Sequence, residues 1–199
     1  MSRRFFDRIG RQWDALRDES FGSRFYLEAF LALLPCEWTI ADIGTGTGYL
    51  LPILAAHFER VIGVEPVAAM VEAARHRIEC SGRANVELCN ADLAHLPIAG
   101  ATVDLAIAVL VLHHVAVPRE ALAELRRIVR PGGCVLIVEQ TAHESETFRD
   151  RMQDRWWGFE MGEFSRLLQS VDFHEVRLRS LTMVERAPDA PDLFVVTGR

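Results

Sequence analysis

Ala41-Asp42-Ile43-Gly44-Thr45-Gly46-Thr47-Gly48 is a glycine-rich stretch between an apolar segment at 38–40 and a helix-like run at 49–58. Glycine is needed where the backbone takes a positive φ or where a ligand must approach without a Cβ in the way. A helix N-terminus behind such a turn presents N–H groups and the positive end of the helix dipole. The pattern therefore predicts a strand, a tight turn and a helix that hold a nucleotide-like ligand or its carboxylate tail.

Short apolar segments alternate with helical segments from residue 38 onward. The predicted strands are 38–43, 61–65, 86–90, 103–109 and 134–139, and the predicted helices are 49–58, 68–81 and 119–129. Short strands rich in Val and Ile are typical of a parallel sheet with helices on both faces. We therefore expect an α/β fold with a doubly wound, mostly parallel, Rossmann-like sheet. Pro131-Gly132-Gly133 is expected to end the last of these helices.

The N-terminal region precedes the first predicted strand and has a helical pattern. One stripe of a helix at 5–20 is formed by Phe5, Ile9, Trp13 and Leu16. A second helical run at 23–34 stops at Pro35, since the residue before a proline disfavours helical geometry. These two runs predict an N-terminal helical cap over residues 1–36.

The alternation changes after residue 140. A polar and aromatic segment leads to a predicted helix at 163–171 and to two final strands at 176–181 and 193–197. Because no helix separates these two strands, we expect the last strand of the sheet to be antiparallel. The chain is thus predicted to be one domain over 1–199, with its core at 37–140 and a final segment at 141–199.

Composition narrows the class of protein. Half of the 199 residues are hydrophobic and the net charge is −6, which favours a folded core and argues against a nonspecific nucleic-acid binder. The sequence shows neither a signal-peptide pattern nor an apolar run long enough for a membrane span. The four cysteines are scattered without a CxxC spacing. We therefore expect a soluble, cytoplasmic protein without nucleic-acid or membrane partners.

The glycine spacing leaves the ligand of the turn open. The dinucleotide fingerprint is G-x-G-x-x-G, whereas this chain has Gly44-x-Gly46-x-Gly48 and places Tyr49 at the third fingerprint glycine. A bulky side chain there fits poorly with close helix–strand packing, which disfavours a nicotinamide-dependent oxidoreductase. The phosphate loop G-x-x-x-x-G-K-[ST] is absent from the sequence.

Three carboxylates follow or end predicted strands and support a nucleotide-like ligand. Glu65 ends the second strand, where it can accept hydrogen bonds from two ribose hydroxyls, and Asp92 follows the third, where it can accept from an adenine amino group. Asp42 lies just before the turn and can orient it or meet an ammonium group of the ligand. Each alone could be an ordinary loop acid. Their shared position at the carboxyl ends of parallel strands favours a common site.

Five motifs in order carry a family resemblance. They are Asp42 through Gly48, Gly63-Val64-Glu65-Pro66, Asn90-Ala91-Asp92-Leu93, Leu112-His113-His114-Val115 and Arg130-Pro131-Gly132-Gly133. Over residues 38–140 the chain resembles the class I S-adenosylmethionine-dependent methyltransferases, especially the small-molecule branch that includes the ubiquinone/menaquinone C-methyltransferases. The two ends of the chain resemble methyltransferase domains fused behind ArsR-type winged-helix regulators.

The resemblance implies S-adenosylmethionine as methyl donor, S-adenosylhomocysteine as product and a small-molecule acceptor, in a monomer or homodimer. It implies cofactor-binding residues at Asp42, Gly44, Thr45, Gly46, Gly48, Glu65, Pro66, Met70, Asp92, Leu93 and Val109. Glu65 would bind the ribose hydroxyls, Asp92 would bind the adenine amino group, and Val109 would lie near the methyl group. A non-catalytic module that senses the cofactor stays an alternative.

Catalytic residues are less well defined by the sequence. His113 and His114 follow the fourth strand and are candidates for a base, or else members of a structural turn. His143 is a further candidate, but it has only Glu146 beside it and no third ligand, so no metal site is predicted. An aromatic group is expected to form either an acceptor wall or part of the core; its members are Trp156, Trp157 and Phe159.

Overall fold

The computed structural model of the protein describes residues 17, 19–20, 25–182 and 187–199. The chain divides into two compact units, 1–36 and 37–199. In the first unit, the predicted helix at 23–34 is observed as helix α1, Phe25–Leu31. The other predicted cap helix, with Phe5, Ile9, Trp13 and Leu16, lies outside the described residues.

Within the described residues, the second unit is built on one sheet of seven strands in the order β3-β2-β1-β4-β5-β7-β6. The strands are β1 Thr39–Ile43, β2 Arg60–Glu65, β3 Val86–Asn90, β4 Val103–Val109, β5 Val129–Gln140, β6 Arg177–Leu181 and β7 Leu193–Gly198. Strands β1 to β5 pair in parallel, whereas β7 is antiparallel to both of its neighbours. The predicted mostly parallel α/β sheet with an antiparallel last strand is therefore confirmed.

Helices connect the parallel strands as the sequence predicts. These are α2 Leu51–His57, α3 Ala68–Ser81 and α4 Pro118–Ile128. Two further helices, α5 Glu146–Met152 and α6 Met161–Gln169, follow β5, and a 3₁₀ turn lies at Leu112–His114. The central strand β4 is buried along almost its whole length, because helices cover both faces of a parallel sheet. None of the helices described is long and apolar enough to cross a membrane.

The start of β5 differs from the sequence prediction. The helix ends at Ile128, one residue before its predicted end, and Val129 already pairs with Val103, five residues before the predicted strand start. The register then shifts, so that the next pair joins Leu105 to Cys134. Gly132 has a φ of +82°, which lets the extra residues form a bulge within the strand. Pro131-Gly132-Gly133 therefore interrupts a strand rather than preceding one.

The strand order places the candidate site. The sheet grows from β1 in two directions, through β2 and β3 on one side and through β4 and β5 on the other. In open α/β sheets, ligands bind outside the carboxyl ends of the strands at this point of reversal. The glycine turn follows β1 and so lies at that point.

Candidate functional site

The glycine turn is held by close contacts on both sides. Gly44 and Gly48 both have a φ of +72°, which L-residues with side chains rarely adopt. A Cβ at Gly44 would overlap the side chain of Val111, and one at Gly48 would lie 2.9 Å from the Cβ of Ala74. A Cβ at Gly46, by contrast, would meet nothing within 4 Å. The outer glycines serve packing, and Gly46 leaves open space.

Glu65 ties the end of β2 to this turn. Its carboxylate accepts hydrogen bonds from the backbone N–H of Gly46 at 3.0 Å and from that of Val67 at 3.0 Å. Only 5% of the residue is exposed. Each carboxylate oxygen has more than one acceptor position, so both can also accept from a ligand hydroxyl.

Asp42 is buried beneath the turn. The hydroxyl of Thr45 donates to its Oδ2 at 2.6 Å, so Asp42 orients the turn. Burial raises the pKa of Asp42 to about 6; the nearby Glu65 also raises this pKa, and the Thr45 hydrogen bond opposes both effects.

The end of β3 adds a residue to which the sequence analysis gave no role. The side-chain amide of Asn90 donates to the carbonyls of Glu65 at 2.8 Å and Pro66 at 2.9 Å. It therefore fixes the ends of β2 and β3 relative to each other. Asp92 is exposed, and its Oδ1 accepts from the N–H of Ala94 at 2.9 Å, which leaves Oδ2 available to a ligand.

A cavity of about 930 Å³ lies at these strand ends, and we call it the cofactor cavity. The structure brings together nine of the eleven predicted cofactor residues in its lining: Gly44, Thr45, Gly46, Glu65, Pro66, Met70, Asp92, Leu93 and Val109. Asp42 and Gly48 do not line it. Leu110 does, with a φ of +54° that no sequence pattern indicated.

His113 does not point into the cofactor cavity. It is 3% exposed, and its Nδ1 lies 2.6 Å from Oε2 of Glu139, a residue with 0% exposure that sequence reasoning did not select. The backbone carbonyl of His113 accepts from the N–H groups of Arg155 and Trp156. The backbone of His113 therefore has the predicted structural role in a turn, whereas its ring belongs to a buried polar cluster.

His114 and His143 lie in different places. His114 lines the cofactor cavity, and burial, followed by the neighbouring His113, lowers its pKa. His143 lines a second cavity of about 880 Å³, and burial lowers its pKa as well. The three predicted catalytic histidines therefore do not form one group.

The second cavity has an aromatic wall, and we call it the aromatic cavity. Trp156, Trp157 and Phe159 all line it, and none of the three is buried. The indole Nε1 of Trp156 donates to the carbonyl of Val115 at 2.8 Å, which anchors its ring beside the cavity. The aromatic and cofactor cavities share Ala116 and Val117.

Comparison with known proteins agrees with this geometry. A family model described as a methyltransferase domain matches residues 41–137, which include the glycine turn and the ends of β2, β3 and β4. Residues 41–137 are thus a methyltransferase domain. The ubiquinone/menaquinone biosynthesis C-methyltransferase of Syntrophotalea carbinolica is 36% identical over 145 residues, which cover 69% of this chain and 60% of the relative.

Other relatives extend the comparison. The arsenite methyltransferase of Halobacterium salinarum is 32% identical over 120 residues, which cover 58% of this methyltransferase chain but 30% of the relative. The chain thus spans 60% of the length of the first relative and 30% of the length of the second. The structure of an S-adenosylmethionine-dependent methyltransferase from Aquifex aeolicus superposes with a TM-score of 0.65 at 23% identity, covering 86% of this chain and 87% of that one. That likeness confirms the fold.

Proposed function

We propose that this methyltransferase binds S-adenosylmethionine in the cofactor cavity and transfers its methyl group to a small-molecule acceptor, releasing S-adenosylhomocysteine. The observation that carries the proposal is the position of Glu65. Its carboxylate is held by the amides of Gly46 and Val67 and retains lone pairs for two ribose hydroxyls. Asp92 binds the adenine amino group, and Leu93 packs against the ring.

The dimensions and shape of the cavity support this ligand. A volume of about 930 Å³ is within the range of cofactor and drug-sized sites. The open space at Gly46 allows the ligand to approach the backbone of the turn. Pro66 and Met70 lie on the side where the adenine would pack, and Val109 ends β4 near the expected methyl group.

Methyl transfer depends more on the alignment of donor and acceptor than on a catalytic side chain. When bound, S-adenosylmethionine supplies an electrophilic methyl group on its sulfonium. The chain orients donor and acceptor in line, and orientation alone can lower the barrier by several kcal/mol, on the order of 7–11 in the best cases. A base is required only where the acceptor must lose a proton. Of the three predicted catalytic histidines, His114 is the one that lines the cofactor cavity.

The acceptor is proposed to enter through the aromatic cavity. This cavity adjoins the cofactor cavity at Ala116 and Val117. The exposed Trp156 and the half-buried Trp157 suit a flat, largely apolar molecule. All four cysteines are free thiols, which fits a reducing compartment, and we expect the protein to act in the cytoplasm as a monomer or homodimer.

The experiment is an assay of S-adenosylhomocysteine formation by the purified chain with thiol, phenol, quinol and amine acceptors. We expect formation that depends on both the protein and one class of acceptor. A silent panel together with tight S-adenosylhomocysteine binding would favour the alternative, a cofactor-sensing module. Tight binding of NAD in place of the sulfur ligands would overturn the assignment of the cavity.

A further inference from the structure

The ring of His113 has a fixed orientation. Glu139 accepts from three backbone N–H groups, those of Val111 at 3.0 Å, Leu112 at 2.6 Å and Gln140 at 3.3 Å. The carboxylate is therefore an acceptor at this point, and Nδ1 of His113 is the donor to it. The other ring nitrogen, Nε2, is left with its lone pair directed away from Glu139. A carboxylate that orients a histidine in this way is the usual support of a metal-binding imidazole.

Asp154 faces that nitrogen with an unpartnered oxygen. The residue is 4% exposed, and its Oδ2 accepts from the side-chain amide of Gln140 at 3.0 Å. Its Oδ1 is buried without a hydrogen-bond partner, although Nε2 of His113 lies 3.6 Å away and Nε2 of His114 lies 3.8 Å away. A buried carboxylate oxygen without a donor is costly, so a missing partner is indicated.

The distances fit a metal ion better than direct hydrogen bonds. At 3.6 and 3.8 Å the two pairs exceed hydrogen-bond length, and the ligand atoms of the three residues all lie within 4.8 Å of one another. Ligands about 2.1 Å from a tetrahedral zinc ion are separated from one another by about 3.4 Å. Small shifts of the side chains would bring all three to that spacing.

The surroundings have room for an ion and carry its opposite charge. His113, His114 and Asp154 line a cavity of about 200 Å³. Its other wall is largely apolar and includes Phe148 and Leu193. Glu139 and Asp154 bring two buried carboxylates. The guanidinium of Arg149 is nearby, and its Nε donates to the backbone carbonyl of Asp154 at 3.2 Å.

We propose that His113, His114 and Asp154 bind a divalent transition-metal ion, with Glu139 orienting His113. The sequence does not predict this site, since its third ligand lies 40 positions beyond the histidine pair and no spacing motif connects them. Two imidazoles and one carboxylate are a ligand set of zinc and of iron(II), and they leave at least one coordination position free. His114, Leu110 and Met152 line both this cavity and the cofactor cavity, so the free position lies next to the proposed methyl-transfer site. An oxygen or nitrogen atom of the methyl acceptor could occupy this free coordination position, an idea that rests on the proposed function.

The test is a titration of the chelator-treated full chain with Zn²⁺ by calorimetry and with Co²⁺ by visible absorption. We expect one ion per chain and the absorption bands of a low-symmetry cobalt site. His114→Ala and Asp154→Asn should each weaken Zn²⁺ binding by at least 100-fold. His114 has a side chain that is 43% exposed, so its variant keeps the test decisive if the buried Asp154 variant does not fold.

A matched control is His76→Ala, which removes an exposed histidine beside Cys80 on α3 and should leave Zn²⁺ binding unchanged. S-adenosylhomocysteine binding, measured in the same samples without metal, should persist in Asp154→Asn, whose side chain does not line the cofactor cavity, and in His76→Ala. Zn²⁺ binding that is absent, or that His114→Ala leaves unchanged, would overturn the metal site while S-adenosylhomocysteine binding still supported the cofactor cavity. Loss with His76→Ala would instead assign the ion to the surface.

Discussion

The two sides of the site are built in different ways. On the cofactor side, each carboxylate has a partner close in sequence: Asp42 bonds to Thr45 three positions on, Glu65 to Val67 two positions on and Asp92 to Ala94 two positions on. The bond from Gly46 to Glu65, across 19 positions, is the longer connection of these carboxylates. On the side of the histidines and tryptophans, the partners are distant. His113 and Glu139 are 26 positions apart, and Trp156 and Val115 are 41 apart. The first side is encoded by short motifs, whereas the second depends on the assembled fold.

The largest expected effect concerns the packing of the glycine turn. Gly44→Ala places a Cβ against Val111 in a residue that keeps a φ of +72°. Overpacking and backbone strain together should lower the free energy of unfolding by about 2–4 kcal/mol. Urea unfolding followed by circular dichroism measures this loss.

Gly82→Ala is the matched control for that variant. Gly82 follows α3 with a φ of +66°, but a Cβ there would meet nothing within 4 Å. Only the backbone cost of about 1 kcal/mol should remain. Equal losses in the two variants would show that the turn is not held by its contact with Val111.

Asp42 offers a pH-dependent test of the same side. Because burial raises its pKa from 3.8 to about 6, the native state keeps a proton that the unfolded state loses between these values. The contribution of Asp42 to the free energy of unfolding therefore falls as pH rises through this window, and the loss is complete above pH 6. Asp42→Asn removes this titration, so its stability relative to wild type should increase by as much as about 3 kcal/mol from pH 4 to pH 7.

The measurement is urea unfolding of both proteins at pH 4, 5, 6 and 7. The variant Asp92→Asn serves as the control, since Asp92 is exposed and is not held in a buried hydrogen bond. A stability difference for Asp42→Asn that does not vary with pH would contradict the buried, protonated state of this carboxyl.

The smallest expected effect lies on the aromatic side. Trp156→Phe removes the hydrogen bond from Nε1 to the carbonyl of Val115, which should cost about 1 kcal/mol of stability. Because Trp156 does not line the cofactor cavity, calorimetry should give the same affinity for S-adenosylhomocysteine as the wild type. A large loss of that affinity would show that the two sides are not separate.

Sequence patterns predicted most of the fold because parallel strands and their helices are short, apolar and locally marked. The bounds of α3, β3 and β4 agree with the predicted ranges. The prediction was wrong at the start of β5. Val129 already pairs with Val103, and the Pro131-Gly132-Gly133 segment, whose pattern resembles a helix stop, forms a bulge within the strand. Which strand a residue pairs with depends on the neighbouring strand, and a single segment does not contain that information.

The site divides in the same manner. Glu65 and Asp92 could be predicted, because each follows a recognisable strand and parallel strands end at one edge. Glu139, Asp154 and Asn90 could not, since a lone acid or amide in sequence has many ordinary roles. Glu139 is the last-but-one residue of β5 and is identified only by the buried His113 ring that it orients.

The most direct test of the account is the affinity for S-adenosylhomocysteine of the wild type and of Glu65→Ala, measured by calorimetry. Glu72→Ala, which removes an exposed acid on α3, is the control and should bind as the wild type does. Loss of hydrogen bonds to a charged group should weaken binding to Glu65→Ala by 1–3 kcal/mol, or roughly 5- to 150-fold. An unchanged dissociation constant in a folded Glu65→Ala chain would contradict the placement of the methyl donor at the carboxyl end of β2.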